Sequence, residues 1–388
     1  MTRLKVLAAM SGGVDSAVAA ALLAEQGHDV TGVTLKLWCY GKSPLSPRAC
    51  CTLDAIEDAR AVARRMGFAH FVVDAEEVFR ARVLQPFLDA YAGGRTPYPC
   101  ALCNQNLKFG DLVARMDLIS ADALATGHYA RVERLGDGSW GLLRATDRAK
   151  DQSYALALIP YAVLPRIEFP LGAMQKSEVR SHGERLGLRV WDKPESQDLC
   201  FVPDGDYAGF MVKSLGETRG TEPGPFVSED GRRLGTHRGI IHYTIGQRRG
   251  LGLAAAEPLY VLAIDGERNA IVLGPRRSLE SVGLVTEPVN WLVSTPPEAG
   301  TAAEVKIRYH HVPAPARLYP LEGGRVELRF ETPQVAVTPG QLAVIYQGER
   351  VLGGAAIARA TSRAADDGPR SAGAGAPAPP PAASLAES

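Results

Sequence analysis

The segment TPYPCALCN places two cysteines three positions apart among proline and aromatic residues. Cys100 and Cys103 have the spacing of half a zinc site, of a redox couple, or of a nucleophile with a neighbouring thiol. A structural zinc site is the weakest of these interpretations, because its usual second Cys-x-x-Cys pair or paired histidines are missing. The remaining alternative is that both cysteines are ordinary buried thiols with no chemical role.

The hexapeptide SGGVDS lies between the first predicted strand and the first predicted helix. Backbone N–H groups at Gly12 and Gly13 can hold a pyrophosphate at the helix N-terminus. Ser11 and Ser16 add hydroxyl donors, and Asp15 would face a phosphate only across a magnesium ion. No lysine follows to complete the GxxxxGK[ST] loop, and the pattern is not GxGxxG. The loop therefore predicts a phosphate site of a different type.

The composition limits the classes of protein to consider. The chain has 388 residues, enough for two or three domains, and equal numbers of basic and acidic residues, 43 each. A nucleic-acid partner would therefore need a local basic surface. No apolar run approaches the roughly 20 residues that cross a bilayer. Six cysteines are too few for a disulfide framework, so we expect a cytoplasmic protein with reduced thiols and no membrane.

Short strand patterns alternate with helical patterns through the first half of the chain. A strand over 4–10 precedes a helix over 17–27, and ADALATGHYARV over 121–132 continues the alternation. This alternation predicts an α/β fold with a doubly wound parallel sheet. Ligands of such sheets collect at the carboxyl ends of strands, where SGGVDS and Gly127 are expected to lie.

After about residue 205, glycine, proline and short alternating strands dominate the sequence. This pattern predicts a small β-rich domain followed by a C-terminal β-barrel. From about Thr361 the chain is rich in alanine and proline, which predicts a disordered tail. The expected organisation is an ATP-binding catalytic domain over 1–205, a central β-rich domain over 206–282, a barrel over 283–360 and a tail over 361–388.

Several motifs resemble known families. SGGVDS resembles the signature of the PP-loop ATP pyrophosphatases, which cleave ATP between the α- and β-phosphates and adenylate an oxygen. GRTPYPCALCNQNLKFG, with SQDLCFVPDGDY around Cys200, resembles the bacterial tRNA-specific 2-thiouridylases. TGHYAR, KDQSYAL, HYTIGQRRGLG and VKIRYHH follow in that family's order, so the resemblance covers residues 1 to about 360. Cys39 and the adjacent Cys50-Cys51 match none of these motifs, and we interpret them as structural or incidental.

The resemblance implies an ATP-dependent tRNA-uridine 2-sulfurtransferase. Such an enzyme adenylates the C2 oxygen of the wobble uridine in tRNA and then replaces it with sulfur, releasing AMP and pyrophosphate. The family pattern makes Cys200 the persulfide carrier and Cys103 the nucleophile that releases the sulfur, leaving a transient Cys103–Cys200 disulfide. The implied partners are tRNA and an upstream sulfur donor, either a sulfur-relay protein or a cysteine desulfurase.

One segment departs from the family pattern, because Tyr98 and Cys100 replace the usual asparagine and aspartate. Three thiols, Cys100, Cys103 and Cys200, would suit a four-iron four-sulfur cluster held at three irons. Sulfur delivery would then depend on the cluster, and Cys103 and Cys200 would be ligands. Both chemistries stay open at this point.

The resemblance also assigns contacts, with Asp15 holding magnesium through ATP. The positions assigned to ATP are Ala9, Met10, Ser11, Gly12, Gly13, Val14, Asp15, Ser16, Leu35 and Gly127. Those assigned to the target base are Tyr98, Pro99 and Cys100. Those assigned to tRNA are His128, Lys150, Asp151, Gln152, Arg308, Tyr309 and Gln341. Without the resemblance, Leu35 would be interpreted as core, His128 as structural, and the segment around Lys150 as a solvated loop.

Two other functions compete with thiolation. A PP-loop ligase or amidotransferase acting on a small-molecule carbonyl would share SGGVDS but has no use for Cys103, Cys200 or a barrel. A non-catalytic RNA-binding protein with a vestigial loop is disfavoured by the intact Asp15 and Ser16.

Overall fold

The computed structural model describes residues 2–37, 53–194, 199–202, 205–216 and 220–362. Cys39, Cys50 and Cys51, interpreted above as structural or incidental, lie outside the described residues. The expected tail also lies outside them beyond residue 362. No helix in the described ranges combines the length and apolar character needed to cross a membrane.

The secondary structure follows the predicted change from mixed α/β to mainly β. The strands in chain order are β1 (Lys5–Ala9), β2 (Asp29–Lys36), β3 (Ala69–Asp74), β4 (Ala123–Thr126), β5 (Ala130–Arg134), β6 (Trp140–Arg144), β7 (Ile167–Glu168), β8 (Gly224–Ser228), β9 (Arg233–His237), β10 (Tyr260–Asp265), β11 (Ala270–Gly274), β12 (Glu280–Thr286), β13 (Asn290–Trp291), β14 (Thr301–Lys306), β15 (Ala314–Pro320), β16 (Val326–Val335), β17 (Leu342–Gln347) and β18 (Arg350–Thr361). The α-helices are α1 (Val14–Glu25), α2 (Leu53–Met66), α3 (Glu76–Phe79), α4 (Gln85–Ala92), α5 (Pro99–Cys103), α6 (Leu112–Leu118), α7 (Lys176–Arg185) and α8 (Tyr207–Leu215). The π-helical segments Arg80–Leu84 and Asn104–Asp111 join α3 to α4 and α5 to α6, and short 3₁₀ turns lie at Ser153–Leu156, Tyr161–Arg166, Ile240–His242, Arg276–Leu279 and Glu322–Gly324.

A five-stranded parallel sheet in the order β3-β2-β1-β4-β7 forms the first part of the molecule. Strand β1 lies between β2 and β4, with Val6 opposite both Val30 and Ala123. Helix α1 is buried along most of its length because its alanines allow close packing. The sheet and helices confirm the predicted α/β class, and the loop after β1 lies where the strand order reverses, the usual ligand site of such sheets.

The strand pattern predicted over 121–132 contains two strands of different sheets. Only β4 continues the parallel sheet, whereas β5 and β6 form an antiparallel hairpin whose second strand pairs with β18. The chain turns back at Asp137-Gly138, where Gly138 adopts a φ of 81°. The predicted strand that runs into Gly127-His128 is β4, and the residues after it form a separate hairpin that turns at Asp137-Gly138.

The remaining strands confirm the predicted β-rich region and barrel. The central sheet has the order β10-β11-β8-β9, over a core that includes Phe226, Tyr243 and Ile271. The C-terminal strands follow the order β12-β16-β15-β14-β17-β18, and β12 also pairs with β18, so the barrel is closed. Because β6 pairs with β18, the barrel is joined to the first part of the molecule through hydrogen-bonded strands.

Candidate active site

Close backbone packing fixes the phosphate loop, the SGGVDS segment over residues 11–16, between β1 and α1. Gly12 has a φ of 74°, and a Cβ atom there would lie 2.3 Å from the carbonyl oxygen of Ala55. A Cβ on Gly127, which follows β4, would lie 2.5 Å from the backbone nitrogen of Ser16. Both positions therefore require glycine, for backbone conformation or for contact distance. Gly127 lies against the start of α1, next to the predicted ATP site.

The two serines of the loop are bonded to each other and to the loop backbone. The Ser16 hydroxyl accepts a hydrogen bond from the Ser11 N–H at 3.0 Å and donates to the Gly13 carbonyl at 3.2 Å. The Met10 carbonyl accepts a hydrogen bond from the Thr34 hydroxyl at 2.8 Å. These bonds hold the hydroxyl groups of the loop beside its backbone N–H groups.

Asp15 in the first turn of α1 is bonded to two side chains from other elements. Lys176 Nζ, at the start of α7, lies 2.6 Å from Asp15 Oδ1, and the Tyr129 hydroxyl donates to the same oxygen at 2.9 Å. The Lys176 side chain is only 11% exposed. A lysine therefore does lie at the loop, although it is 161 positions away from Asp15 in the sequence. Sequence reasoning missed it because nothing in the helical pattern around Lys176 relates it to SGGVDS.

A second lysine links the loop to the segment that leads to Cys200. Lys193 Nζ lies 2.9 Å from Asp58 Oδ2 on α2 and donates to the Gly12 carbonyl at 3.4 Å. No sequence motif pointed to this contact. The chain before Cys200 is thereby held against the phosphate loop.

Two of the predicted thiols pack against one apolar cluster. Cys103 ends α5, and both Cys103 and Cys200 contact a buried group that includes Phe79, Phe87 and Phe201. Leu35, near the end of β2, packs against the same cluster. The structure thus places Cys103 and Cys200 against the same apolar cluster as Leu35, a residue assigned to the adenosine. Cys100, Cys103 and Cys200 are present as half-buried thiols.

The three thiols do not form a metal site in this arrangement. Within the described ranges, no group of three or more histidine, cysteine, aspartate or glutamate side chains could hold a metal ion. These thiols therefore do not form a single-ion site as placed, and the iron–sulfur cluster that ligand type allows stays a prediction.

The target-base segment, residues 96–100, lies between the first part of the molecule and the barrel. Tyr98 caps α5, Pro99 is buried at its first turn, and the Tyr98 ring lies nearly parallel to the Tyr309 ring, with centroids 6.3 Å apart. Tyr154 packs edge-on against Tyr98 at 5.2 Å. Burial raises the pKa of the Tyr98 hydroxyl well above its ordinary value, so it stays protonated. Two assigned residues, Tyr98 and Tyr309, thus form one aromatic group.

The barrel holds this segment by hydrogen bonds to the backbone of Thr96. Gln341 Nε2 donates to the Thr96 carbonyl at 3.0 Å, and the Thr96 N–H donates to the Pro339 carbonyl at 3.0 Å. The Gln341 side chain, assigned to tRNA on the resemblance, is therefore engaged in positioning the target-base segment. Lys306 Nζ lies 5.5 Å from the Tyr309 ring centroid, and sequence reasoning did not single it out.

The other residues assigned to tRNA differ in exposure and in partners. Burial, with a smaller effect of nearby Lys108, holds the pKa of His128 well below its ordinary value, so its imidazole is neutral. Asp151 accepts from the Ser153 hydroxyl at 2.9 Å, and Gln152 accepts from the Tyr129 N–H at 2.9 Å. Asp151 and Gln152 thus shape a half-buried segment rather than a solvated loop.

Arg308 is exposed and donates to the Val335 carbonyl at 3.2 Å. Lys150 is half-buried beside Asp151. The Lys150 segment leads directly into Tyr154, whose ring packs edge-on against Tyr309 with centroids 6.2 Å apart. The segment that follows Lys150 in the first domain therefore contacts Tyr309 of the barrel through Tyr154.

Three family models match the chain. A tRNA methyl transferase HUP domain matches residues 4–204, a tRNA methyl transferase PRC-barrel domain matches 212–275, and an aminomethyltransferase beta-barrel domain matches 281–357. Among solved structures, an NMN synthetase from Francisella tularensis matches with a TM-score of 0.32 and 18% identity, over 56% of this chain and 78% of that one. A likeness this weak carries no argument about the site.

Curated relatives match over most of their length. A tRNA-specific 2-thiouridylase MnmA from Geobacter metallireducens is 48% identical over 356 residues, covering 91% of this chain and 96% of the relative. The protein of the same name from Syntrophotalea carbinolica is 49% identical over 358 residues, covering 91% of this chain and 98% of the relative. The resemblance seen in the motifs is confirmed over 91% of the chain, which belongs to the tRNA-specific 2-thiouridylase family.

Proposed function

We propose that the protein is an ATP-dependent tRNA-uridine 2-sulfurtransferase that makes 2-thiouridine at the wobble position of tRNA. The observation that supports this most strongly is the convergence of Cys103 and Cys200, far apart in sequence, on one cluster that Leu35 also contacts. The proposed bounds are 1–205 for the catalytic domain, 206–282 for the central domain and 283–360 for the barrel. The cytoplasm is the proposed place of reaction.

The first step activates the C2 oxygen. A urea-like carbonyl has a poor leaving group, so attack of this oxygen on the α-phosphate of ATP gives an O-adenylate and releases pyrophosphate. Residues 9–16 would hold the phosphates, with Leu35 and Gly127 bordering the adenosine. Asp15 is the carboxylate that the loop offers to magnesium, which would neutralise phosphate charge when bound. Lys176 lies beside Asp15 and adds a cation at the loop.

The second step replaces oxygen with sulfur. A persulfide on Cys200, charged by a sulfur-donor protein, attacks C2 through its terminal sulfur, and the C2–O bond breaks with release of AMP. The Cys103 thiolate then attacks the Cys200 sulfur, so 2-thiouridine leaves and a Cys103–Cys200 disulfide forms. A two-electron reductant, such as a dithiol, restores both thiols. This sulfur transfer uses the thiols of Cys103 and Cys200, and no step is assigned to a cluster.

The target uracil would lie beside Tyr98, Pro99 and Cys100. An aromatic side chain there can stack on a base extruded from the anticodon loop. The proposed tRNA contacts around it are His128, Lys150, Asp151, Gln152, Arg308, Tyr309 and Gln341. For Asp151, Gln152 and Gln341, the intramolecular bonds support a positioning role within this surface.

Replacing each sulfur atom tests the proposal. Cys103→Ser and Cys200→Ser should each abolish formation of 2-thiouridine, measured by mass spectrometry of tRNA digests, while tRNA affinity stays near normal. Cys100→Ser removes the third thiol, on the same helix as Cys103, but neither transfer sulfur, so it should reduce thiolation through base binding without abolishing it if no cluster is involved. Retained 2-thiouridine with either of the first two variants would contradict the sulfur-transfer assignment. Iron and sulfide in protein purified without oxygen, lost with Cys100→Ser, would replace it with cluster chemistry.

The alternative is a PP-loop ligase or amidotransferase that activates a small-molecule carbonyl. It requires the phosphate loop but leaves the converging thiols and the barrel without a role. Methyl transfer, named in two of the matching family descriptions, likewise leaves a triphosphate loop and two convergent thiols unexplained. AMP formation that does not depend on tRNA would favour the ligase.

A further inference from the structure

We propose that the loop over residues 244–252, here called the arginine loop, binds the phosphate backbone of tRNA through Arg248 and Arg249. This inference rests on the proposed function. It gives the central domain a part in RNA binding, whereas the family motifs assign contacts only to the catalytic domain and the barrel. The loop lies within HYTIGQRRGLG, a motif for which the catalytic mechanism gives no role.

The arginine loop has a fixed backbone. Gln247 Oε1 accepts from the Thr244 N–H at 3.0 Å, and Gln247 Nε2 donates to the Arg249 carbonyl at 3.0 Å. The Gly246 N–H donates to the Val261 carbonyl at 2.8 Å, and the Val261 N–H donates to the Gln247 carbonyl at 2.9 Å, so the loop is joined to β10. A loop braced in this way presents its side chains without a large ordering cost on binding.

The charge of the arginine loop is not neutralised locally. Arg248 and Arg249 are both exposed. Among the described residues, no carboxylate forms an ion pair with either of them. The sequence from Leu234 to Ala256 contains no aspartate or glutamate. In a chain whose net charge is zero, this is the kind of local basic surface that a nucleic acid requires.

The arginine loop continues the surface around Arg308. A Cβ on Gly246 would lie 3.1 Å from the Cβ of Ala336, so the loop touches the end of β16. Ala336 follows Val335, whose carbonyl accepts the hydrogen bond from Arg308 Nη1. The central domain therefore places two arginines next to the part of the barrel that carries a proposed tRNA contact. RNA held at Arg308 would bring further phosphates toward the loop, and guanidinium groups bind phosphates in a bidentate manner.

The test compares tRNA affinities across salt concentrations. Full-length wild type and the Arg248→Gln, Arg249→Gln double variant are titrated with fluorescently labelled tRNA, and anisotropy gives the dissociation constant. We expect about tenfold weaker binding by the double variant, and a slope of log affinity against log salt that is shallower by about 2, one unit for each lost phosphate contact. Each single variant should lose about one unit, so the test holds even if the double variant does not fold.

The matched control is the Arg232→Gln, Arg233→Gln variant. These are also two adjacent, exposed arginines of the central domain, but they adjoin Glu229 and Asp230 in the turn between β8 and β9. The control should keep the wild-type affinity and slope. Unchanged affinity and slope in the Arg248 and Arg249 variants would overturn the inference, and would leave an acidic protein as the partner to test. A wild type that neither binds nor thiolates tRNA would instead refute the proposed function.

Discussion

The phosphate loop and the target-base segment are held in place by different parts of the chain. The loop is confined by backbone atoms of its own domain, with Ala55 on one side and Gly127 on the other. In the target-base segment, the Thr96 N–H donates to the Pro339 carbonyl of the barrel and the Thr96 carbonyl accepts from Gln341. The Tyr98 ring faces Tyr309 of the barrel. On the proposed function, nucleotide binding is therefore a local property, whereas base recognition requires the domains to be correctly joined.

This difference predicts which substitutions affect which substrate. Changes at the loop should impair ATP chemistry without altering tRNA affinity. Changes at the contact between barrel and segment should impair thiolation while ATP binding remains. An enzyme in which every substitution affected both substrates equally would show that the two regions act as one unit.

The largest effect is expected for Gly12→Ala. The new Cβ would lie 2.3 Å from the Ala55 carbonyl oxygen at a φ of 74°, so α2 or the loop must move. We expect ATP-dependent AMP formation to be lost, because the backbone N–H groups no longer converge on the phosphates. Gly27→Ala is the matched control, since Gly27 also has a positive φ, 85°, but nothing lies within 4 Å of its Cβ position. It should cost only about 1 kcal/mol in urea unfolding, with AMP formation retained.

Lys176→Met should have the next largest effect. The substitution removes the ammonium group 2.6 Å from Asp15 Oδ1. The phosphate loop, from which pyrophosphate is proposed to depart, thereby loses a positive charge. A fall in tRNA-dependent AMP formation on the order of 100-fold is expected, measured by release of labelled AMP. Lys36→Met, which removes an exposed ion pair with Asp74 at 2.9 Å, should change the rate little. Equal rates for wild type and Lys176→Met would limit Lys176 to a structural role.

The same contrast between local and long-range contacts explains what the sequence could predict. SGGVDS carries part of its geometry in its own sequence, because Ser11, Gly13 and Ser16 bond within six residues, so the loop could be located without a structure. Lys176 and Lys193 reach the loop from 161 and 181 positions away, and no local pattern relates them to it. Gln341 matched a family position, but its bond to Thr96 depends on how the barrel docks.

The smallest of these effects, and the one that separates the two regions most clearly, is expected for Gln341→Leu. The variant leaves the Thr96 carbonyl without its side-chain donor, which costs about 1 kcal/mol, so kcat/KM for thiolation should fall about fivefold. The equilibrium affinity for ATP should be unchanged, because the hydrogen bonds described for Gln341 join it to Thr96, Thr338 and Ile357. Gln347→Leu, at an exposed position of β17, is the matched control and should behave as wild type. A loss of ATP affinity in Gln341→Leu would mean that the barrel also positions the phosphate loop, and the proposed separation of nucleotide binding from base recognition would be wrong.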